Sequence, residues 1–568
     1  MSIDGEDDNH DSSARDSAIP PPQSAAPLLH RALEFQKQGR SAEAAELCRS
    51  VLADHPQQSE ALLLLGLILA MQGALDEAAP LLEAYLERRP DDPGGAYQLG
   101  MVRQRAGDPV AALALFDRAL ARQPDFAPAL HGRGVALHEF GRLDDAARAL
   151  ERALALEPIN ALLRNNLGSL RHSQGRLVDA LAEFDRALAL DSGLETARRN
   201  RSSVRAELDQ APAAAKRLQR IEPAGHGLAD ALETMRHGQG GPTIAVEPCA
   251  GGDPSARILI LCGSDRGDVS TRYLFDPQRF ERIYLVLQLL GGSVPGANPP
   301  LELPPFDVIF NSIADPDRGA AYLDAAAALC GGLDRPVLNP PARIRQTQRD
   351  ELAAHLGSIP GLVVPATRRV TRDAVVELAA GAPFAPPLLI RPTGSHGGEG
   401  LARIDRPADL AAYLGVLPNA SFFLTDYCDF RSRDGYFRKY RLIFVDRRVY
   451  PYHLVIGRDW KLHYWRVDMD EAPWMKREEA AFLADYRTAF PGALADTVER
   501  VARALDLDYG GMDCGITADG LVVLFEANAN MLVHLTEPHE TAPHKHAHVP
   551  RIFEAMADLV TRRRAAVR

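Results

Sequence analysis

The first third of the chain repeats its pattern of apolar and small residues every 34 positions. Gly39, Gly73, Gly107, Gly141 and Gly175 keep that step, as do Gly66, Gly100, Gly134 and Gly168, and Ala44, Ala78, Ala112, Ala146 and Ala180. Pro56, Pro90, Pro124 and Pro158 follow the same period. The pattern predicts units beginning near Ala25, Ser59, Pro93, Ala127 and Ala161, each a pair of helices. Glycine lets the first helix pack closely, alanine fits the tight crossing, and proline ends the second helix. The apolar run Ala61 to Met71 is too short to span a membrane and falls in register with the first helix of the second unit, so it is expected in the core. After Gly193, the charged stretch Leu194 to Leu208 reads as a capping helix.

Beyond residue 256 the pattern turns to strands. Arg257 to Gly263 reads as a buried strand and turn, and Phe306 to Asn311 as another strand. Near the C-terminus, two alternating runs flank Asp519-Gly520, which predicts a hairpin with a two-residue turn. That register sets Asp513 directly across from Glu526, with Asn528 on the same face. Met512, Cys514, Ile516, Val523, Phe525 and Ala527 then share the other, core-facing side. Opposed carboxylates repel unless a counter-ion joins them, and three hard oxygen donors on one face suit Mg2+. A solvated hairpin face is the alternative. Upstream, Pro387 to Leu401 reads as strand, glycine-rich loop, strand, with Arg391 closing the first strand. The glycines between 394 and 400 let backbone N–H groups cradle an anion, a pattern shared with a plain turn. It lacks the Gly-Lys-Ser/Thr ending of a Walker loop, and no helical period follows it.

The repeats resemble the tetratricopeptide family. The resemblance implies a curved solenoid that binds a peptide or protein partner on its concave face, where Tyr97, Gln98, Arg103, His131, Arg133, Arg164, Asn165, Asn166 and His172 are expected. Residues 256 to 560 resemble the ATP-grasp superfamily, which binds MgATP between two α+β subdomains and generally activates a carboxylate as an acyl phosphate. On that resemblance, Arg349, Arg391, Ser395, His396, Gly397 and Gly398 hold the nucleotide phosphates. Ser421 to Cys428 leads into the adenine hinge at Asp426, Tyr427 and Cys428. Arg441 opens the strand that reaches the transferred phosphoryl group, and Asp513, Glu526 and Asn528 ligate the metal. The small α/β subdomain ahead of this fold usually contributes to the acceptor pocket.

Arg349 and Arg391 stand where the family usually has lysines, and a planar guanidinium donates differently from an ammonium point charge. His396 within the loop faces either a phosphate or solvent. Tyr452-His453 and Trp460 to Arg466 cluster cations and aromatics that line an acceptor pocket or cap a sheet edge, with Lys461 and His453 the leading candidates. Asp468 to Met475 resembles a loop over the site.

The expected organisation is an acidic, disordered arm (1–24), an all-α solenoid with its cap (25–220), a linker (221–255), a small α/β subdomain (256–340) and an α+β ATP-grasp domain (341–568). Residues 1–24 hold six acids against one arginine and show no signal-peptide pattern. A net charge of −12 argues against broad nucleic-acid binding. Six scattered cysteines show neither zinc spacing nor disulfide density, which fits the cytoplasm, and no membrane contact is expected. His539, His544, His546 and His548 mark either a metal site or a polar loop. These readings lead to a ligase that spends ATP, with Mg2+, to join carboxylate and amine substrates, Arg441 and Lys461 being its catalytic cations. The alternatives are an ATP-holding scaffold without turnover and a kinase of the acceptor.

Overall fold

The computed structural model describes residues 25–218, 243–263, 271–287, 303–383, 385–395, 398–462, 472–529, 531–535, 539 and 542–566. The expected acidic arm, His396, Gly397 and residues 463–471 of the aromatic run and the following loop lie outside them. The chain divides into two compact units, 1–102 and 103–568.

In the first unit, helices α1 (Ala25–Lys37), α2 (Ser41–Asp54), α3 (Ser59–Met71) and α4 (Leu75–Arg88) form two hairpins. Each first helix starts where the period places it. Ala44 and Ala78 are fully buried, and a Cβ on Gly66 would lie 2.9 Å from Leu82 Cγ, so the small residues sit where two helices cross without room for more. Helix α5 (Pro93–Arg105) runs across the division between the units.

The second unit continues with α6 (Pro109–Arg122), α7 (Ala127–Glu139), α8 (Leu143–Leu156), α9 (Ala161–Ser173), α10 (Leu177–Leu190) and α11 (Glu195–Leu218). The packing logic is unchanged: Ala112, Ala146 and Ala180 are fully buried, and a Cβ on Gly134 would lie 2.6 Å from Leu150 Cγ. Gly107, Gly141 and Gly175 turn the chain between helices at φ of 77°, 70° and 75°, a left-handed conformation that favours glycine. The cap extends ten residues beyond its expected end.

A mixed α/β region follows, with three sheets among the described residues. The first orders β1 (Thr243–Glu247), β3 (Phe280–Val286), β2 (Ala256–Cys262), β4 (Val308–Asn311) and β5 (Val337–Leu338), parallel except for β1. Strand β1 falls in the stretch read as a linker; its Glu247 pairs with buried Arg282 of β3. The second sheet orders β7 (Thr367–Thr371), β10 (Ser421–Asp426), β8 (Leu388–Pro392) and β9 (Ala402–Ile404), all antiparallel. The third orders β12 (Arg448–Gly457), β11 (Phe437–Val445), β13 (Tyr509–Ile516), β14 (Val522–Asn528) and β6 (Leu362–Val363), with only β6 parallel to its neighbour. One core joins the first and third sheets through residues such as Phe310, Tyr440, Phe444 and Tyr509. No helix among the described residues is long and apolar enough to cross a membrane.

The hairpin departs from its expected turn. Thr517 N donates to Leu521 O at 2.9 Å and Gly520 N to Thr517 O at 2.9 Å, so the loop holds three residues, Ala518 to Gly520, with Gly520 at φ 79°. The longer loop moves the register by one near the turn, pairing Cys514 with Leu524. A bulge at Phe525 then absorbs the slip and restores Asp513 opposite Glu526. Val523 and Phe525 therefore leave the core face assigned to them and pack with Phe430, Phe437, Val455 and Leu462. Val522 and Leu524 take the core positions instead, beside Met512, Cys514 and Ala527.

Candidate functional site

Between the second and third sheets lies a cavity of about 590 Å³. It gathers Arg349, Arg391, Gly398, Asp426, Tyr427, Cys428, Arg441, Lys461, Asp513, Glu526 and Asn528 from distant stretches of sequence, together with Val523, Leu524 and Phe525. Five cations, Arg349, Arg391, Lys439, Arg441 and Lys461, face three carboxylates, Asp426, Asp513 and Glu526. The surplus of positive charge suits an anionic ligand.

Pairing across the third sheet sets His453, Arg441, Asp513 and Glu526 in one row over four strands. Arg441 Nε donates to Asp513 Oδ1 at 2.6 Å and Nη2 to Oδ2 at 2.9 Å, a bidentate fork. Lys439 Nζ adds a contact of 2.7 Å to Asp513 Oδ2. Burial by itself would raise the Asp513 carboxyl, yet Arg441 and Lys439 hold it far below the usual range. Arg349 Nη2 lies 2.6 Å from Glu526 Oε1, which also accepts from Asn528 Nδ2 at 2.5 Å. Against the upward push of burial, Arg349 and Arg391 bring Glu526 down to about 2. Both carboxylates are ionised at neutral pH.

Two buried groups in this cavity lack, among the described residues, the partner their chemistry calls for. Asn528 Oδ1 has no hydrogen-bond partner among the described residues, so the amide presents an acceptor to whatever fills the cavity. Arg391 is 8% exposed and makes no ion pair among the described residues; its Nε donates to Ser395 Oγ at 3.1 Å and its Nη2 to Ser395 O. Burial, then the nearby Arg349 charge, lowers its pKa to about 10. A buried guanidinium without a carboxylate is costly unless an anion joins it. Two ionised carboxylates with an open amide oxygen also fit a hard divalent cation. No three His, Cys, Asp or Glu side chains cluster as a metal site among the described residues.

Other expected positions fall differently. Ser395 is absent from the cavity wall: its Oγ donates to Pro392 O at 2.7 Å and it anchors Arg391. His453 is likewise outside the lining; burial and the Arg441 charge keep its imidazole well below the ordinary value. At the expected hinge, Asp426 N donates to Ala366 O at 3.0 Å and Tyr427 N to Pro387 O at 3.2 Å, so both of these amides are taken up by neighbouring backbone. The structure adds Lys439 to the lining; its one signal in the sequence is its place two residues before Arg441, on the same strand face. On the solenoid, the expected basic wall is partly neutralised. Arg133 pairs with Asp117 at 2.6 Å and Arg164 with Glu183 at 3.2 Å, while Asn166 Nδ2 lies 2.6 Å from His131 Nε2.

Two tetratricopeptide repeat family models match the chain, one over residues 29–93 and 139–195, the other over 104–165. LEM domain-containing protein 1 of Mus musculus is 42% identical over 52 residues, which cover 9% of this chain. The chain spans 40% of the length of that relative. Among solved structures, TTC0263, a thermophilic TPR protein of Thermus thermophilus, is 28% identical with a TM-score of 0.28, covering 32% of this chain and 98% of its own. YrrB, described as a TPR protein with an unusual peptide-binding site, is 21% identical with a TM-score of 0.28, covering 31% and 90%. MamA of Desulfovibrio magneticus RS-1 is 20% identical with a TM-score of 0.28, covering 30% and 96%.

Proposed function

We infer that the N-terminal helix pairs, over which tetratricopeptide repeat models match, bind a peptide or protein partner. We propose that the α/β region is an ATP-grasp unit that uses MgATP to join a carboxylate to an amine, on a peptide or protein captured by the repeats. The observation that carries this reading is one cavity that holds the Arg441, Asp513 and Glu526 row with buried Arg391, which makes no ion pair among the described residues, and the Asn528 oxygen, which has no partner among them. Arg391, Arg349 and Lys461 balance the phosphate charge, Gly398 allows close backbone approach, and the apolar floor of Val523, Leu524 and Phe525 takes the base. Asp513, Glu526 and Asn528 would hold Mg2+, which neutralises phosphate oxygens when bound. Arg441 would steady charge on the γ-phosphoryl group as it passes from ATP, which leaves as ADP, to the substrate carboxylate; the amine would then attack the acyl carbon, expelling phosphate and releasing a proton to give the amide.

A second reading, a scaffold that holds nucleotide without turnover, is favoured by one feature. Both Asp513 oxygens already carry protein cations, and Arg349 occupies a Glu526 oxygen. An assay for Mg-dependent ATP consumption with candidate amines and peptides separates the two. Turnover that disappears in Glu526→Gln supports the ligase, whereas tight ATP binding without turnover across all acceptors supports the scaffold. Product mass distinguishes ligation from transfer of a phosphoryl group to the acceptor.

A further inference from the structure

The carbonyl oxygens at the end of α7 go to its own cap, with one exception. Phe140 N donates to Ala136 O at 3.3 Å, Gly141 N to His138 O at 3.0 Å and Arg142 N to Leu137 O at 3.0 Å. Glu139 O instead accepts from Gly400 N, 3.0 Å away, at the end of the glycine-rich loop. A helix terminus in the solenoid is thus completed by the loop that lines the cavity. Gly400 is held from its other side as well, because Tyr413 Oη donates to Gly400 O at 2.7 Å. Phe140 packs edge-on against Tyr413, with ring centroids 6.3 Å apart.

Side chains repeat the connection. Lys461 Nζ donates to Leu401 O at 2.8 Å and lies 3.8 Å from Glu139 Oε2; their side chains are 9% and 10% exposed. Trp460 Nε1 donates to Ala106 O at 3.2 Å, in the turn after α5. Gly398, Leu401, Trp460 and Lys461 all line the cavity.

The turn glycines show how specific this contact is. A Cβ on Gly107 would lie 2.5 Å from Trp460 Nε1, and one on Gly141 would run into Glu399 Oε1. The equivalent Gly175 has nothing within 4 Å, although its φ of 75° is close to the 70° of Gly141. Backbone conformation demands glycine at all three positions, and docking adds a second demand only at the first two.

We infer that the solenoid forms part of the cavity machinery: Glu139 and Gly141 are positioning residues that set Lys461 and the end of the glycine-rich loop, Gly398 to Leu401, against the anion-binding cavity. The part concerned with nucleotide affinity rests on the MgATP reading; the docking of the loop does not. Glu139 holds the loop backbone through its carbonyl and the lysine through its carboxylate. Gly141 supplies the clearance that brings both within reach.

Gly141→Ala and Gly175→Ala in the full-length chain impose the same backbone strain, and only the first strikes the loop. Hydrogen exchange in a peptide spanning Gly400 is expected to rise roughly ten-fold in Gly141→Ala and to stay within about two-fold of the parent in Gly175→Ala. Equal exchange in the two variants overturns the inference. Glu139→Gln covers the case in which Gly141→Ala does not fold. It keeps the carbonyl contact and removes a charge partner of the lysine, so MgATP affinity by calorimetry should fall roughly ten-fold while Gly400 exchange holds, and the charge-keeping Glu139→Asp should recover affinity to within about three-fold. Unchanged affinity in Glu139→Gln overturns its role in setting Lys461. If the parent chain binds no MgATP yet the glycine pair still differ in exchange, the nucleotide reading falls and the docking of the loop by the solenoid stands.

Discussion

Asp513 meets three cationic nitrogens at its two oxygens, and the order of those contacts decides what each substitution does. The Arg441 fork is bidentate and serves a buried carboxylate, so its loss leaves Asp513 short of charge; Lys439 is a single contact on the cavity side. Lys439→Met is therefore expected to fold normally and to weaken MgATP binding by about ten-fold, about 1.4 kcal/mol, in a calorimetric titration. Retained affinity removes Lys439 from the binding groups. His534 makes a prediction about acid. Burial, reinforced by the Arg441 charge, lowers its imidazole from 6.5 to about 4. In that interval the unfolded chain binds a proton that the folded chain does not, so its contribution is fully present above pH 6.5 and is lost as pH falls towards 4. Thermal unfolding across this range should show a Tm that declines with acid, with a shallower slope in His534→Asn. A Tm flat between those limits contradicts the assignment.

At the scale of the element, the helix pairs obey their period because each landmark has a local steric cause. Gly134 in α7 faces Leu150 of α8 so closely that Gly134→Ala must push the helices apart, at a cost of about 1–3 kcal/mol, seen as a lower Tm. An unchanged Tm would mean that the leucine moves aside freely. The hairpin was less legible. Alternation and the Asp-Gly pair signal two strands and a turn near the correct place, and the carboxylates do face each other. Yet loop length and the bulge at Phe525 are two one-residue events that cancel at Glu526, and periodicity cannot reveal compensating slips. Their consequence is chemical: Val523 and Phe525 leave the core shared by the first and third sheets for a smaller cluster that borders the cavity.

Across the second unit, the cavity is lined by strands and loops, two of which are held by solenoid turns, so a ligand that bridges them stabilises the assembly. Ligand linkage predicts that ATP with Mg2+ raises Tm in proportion to the logarithm of concentration, by about 2.7 kcal/mol of stability at a hundred-fold excess over Kd. ATP with a chelator should raise it less, and Glu526→Gln should remove that difference. Equal shifts with and without metal argue that the protein cations alone hold the phosphates, as the scaffold reading requires.

What the chain determines by itself is local and periodic: five helix pairs, the strand, glycine loop and strand, and a hairpin bearing two carboxylates and an amide. Each follows from spacings of a few residues, where steric fit and alternation act directly. Only the tertiary structure placed Lys439 and Lys461 beside these groups, turned Ser395 into the support of Arg391, and brought Glu139 of the solenoid onto Gly400. Apart from the local Arg391–Ser395 contact, those juxtapositions arise from packing between segments far apart in sequence, whose free energy is spread over many contacts and leaves no periodic trace.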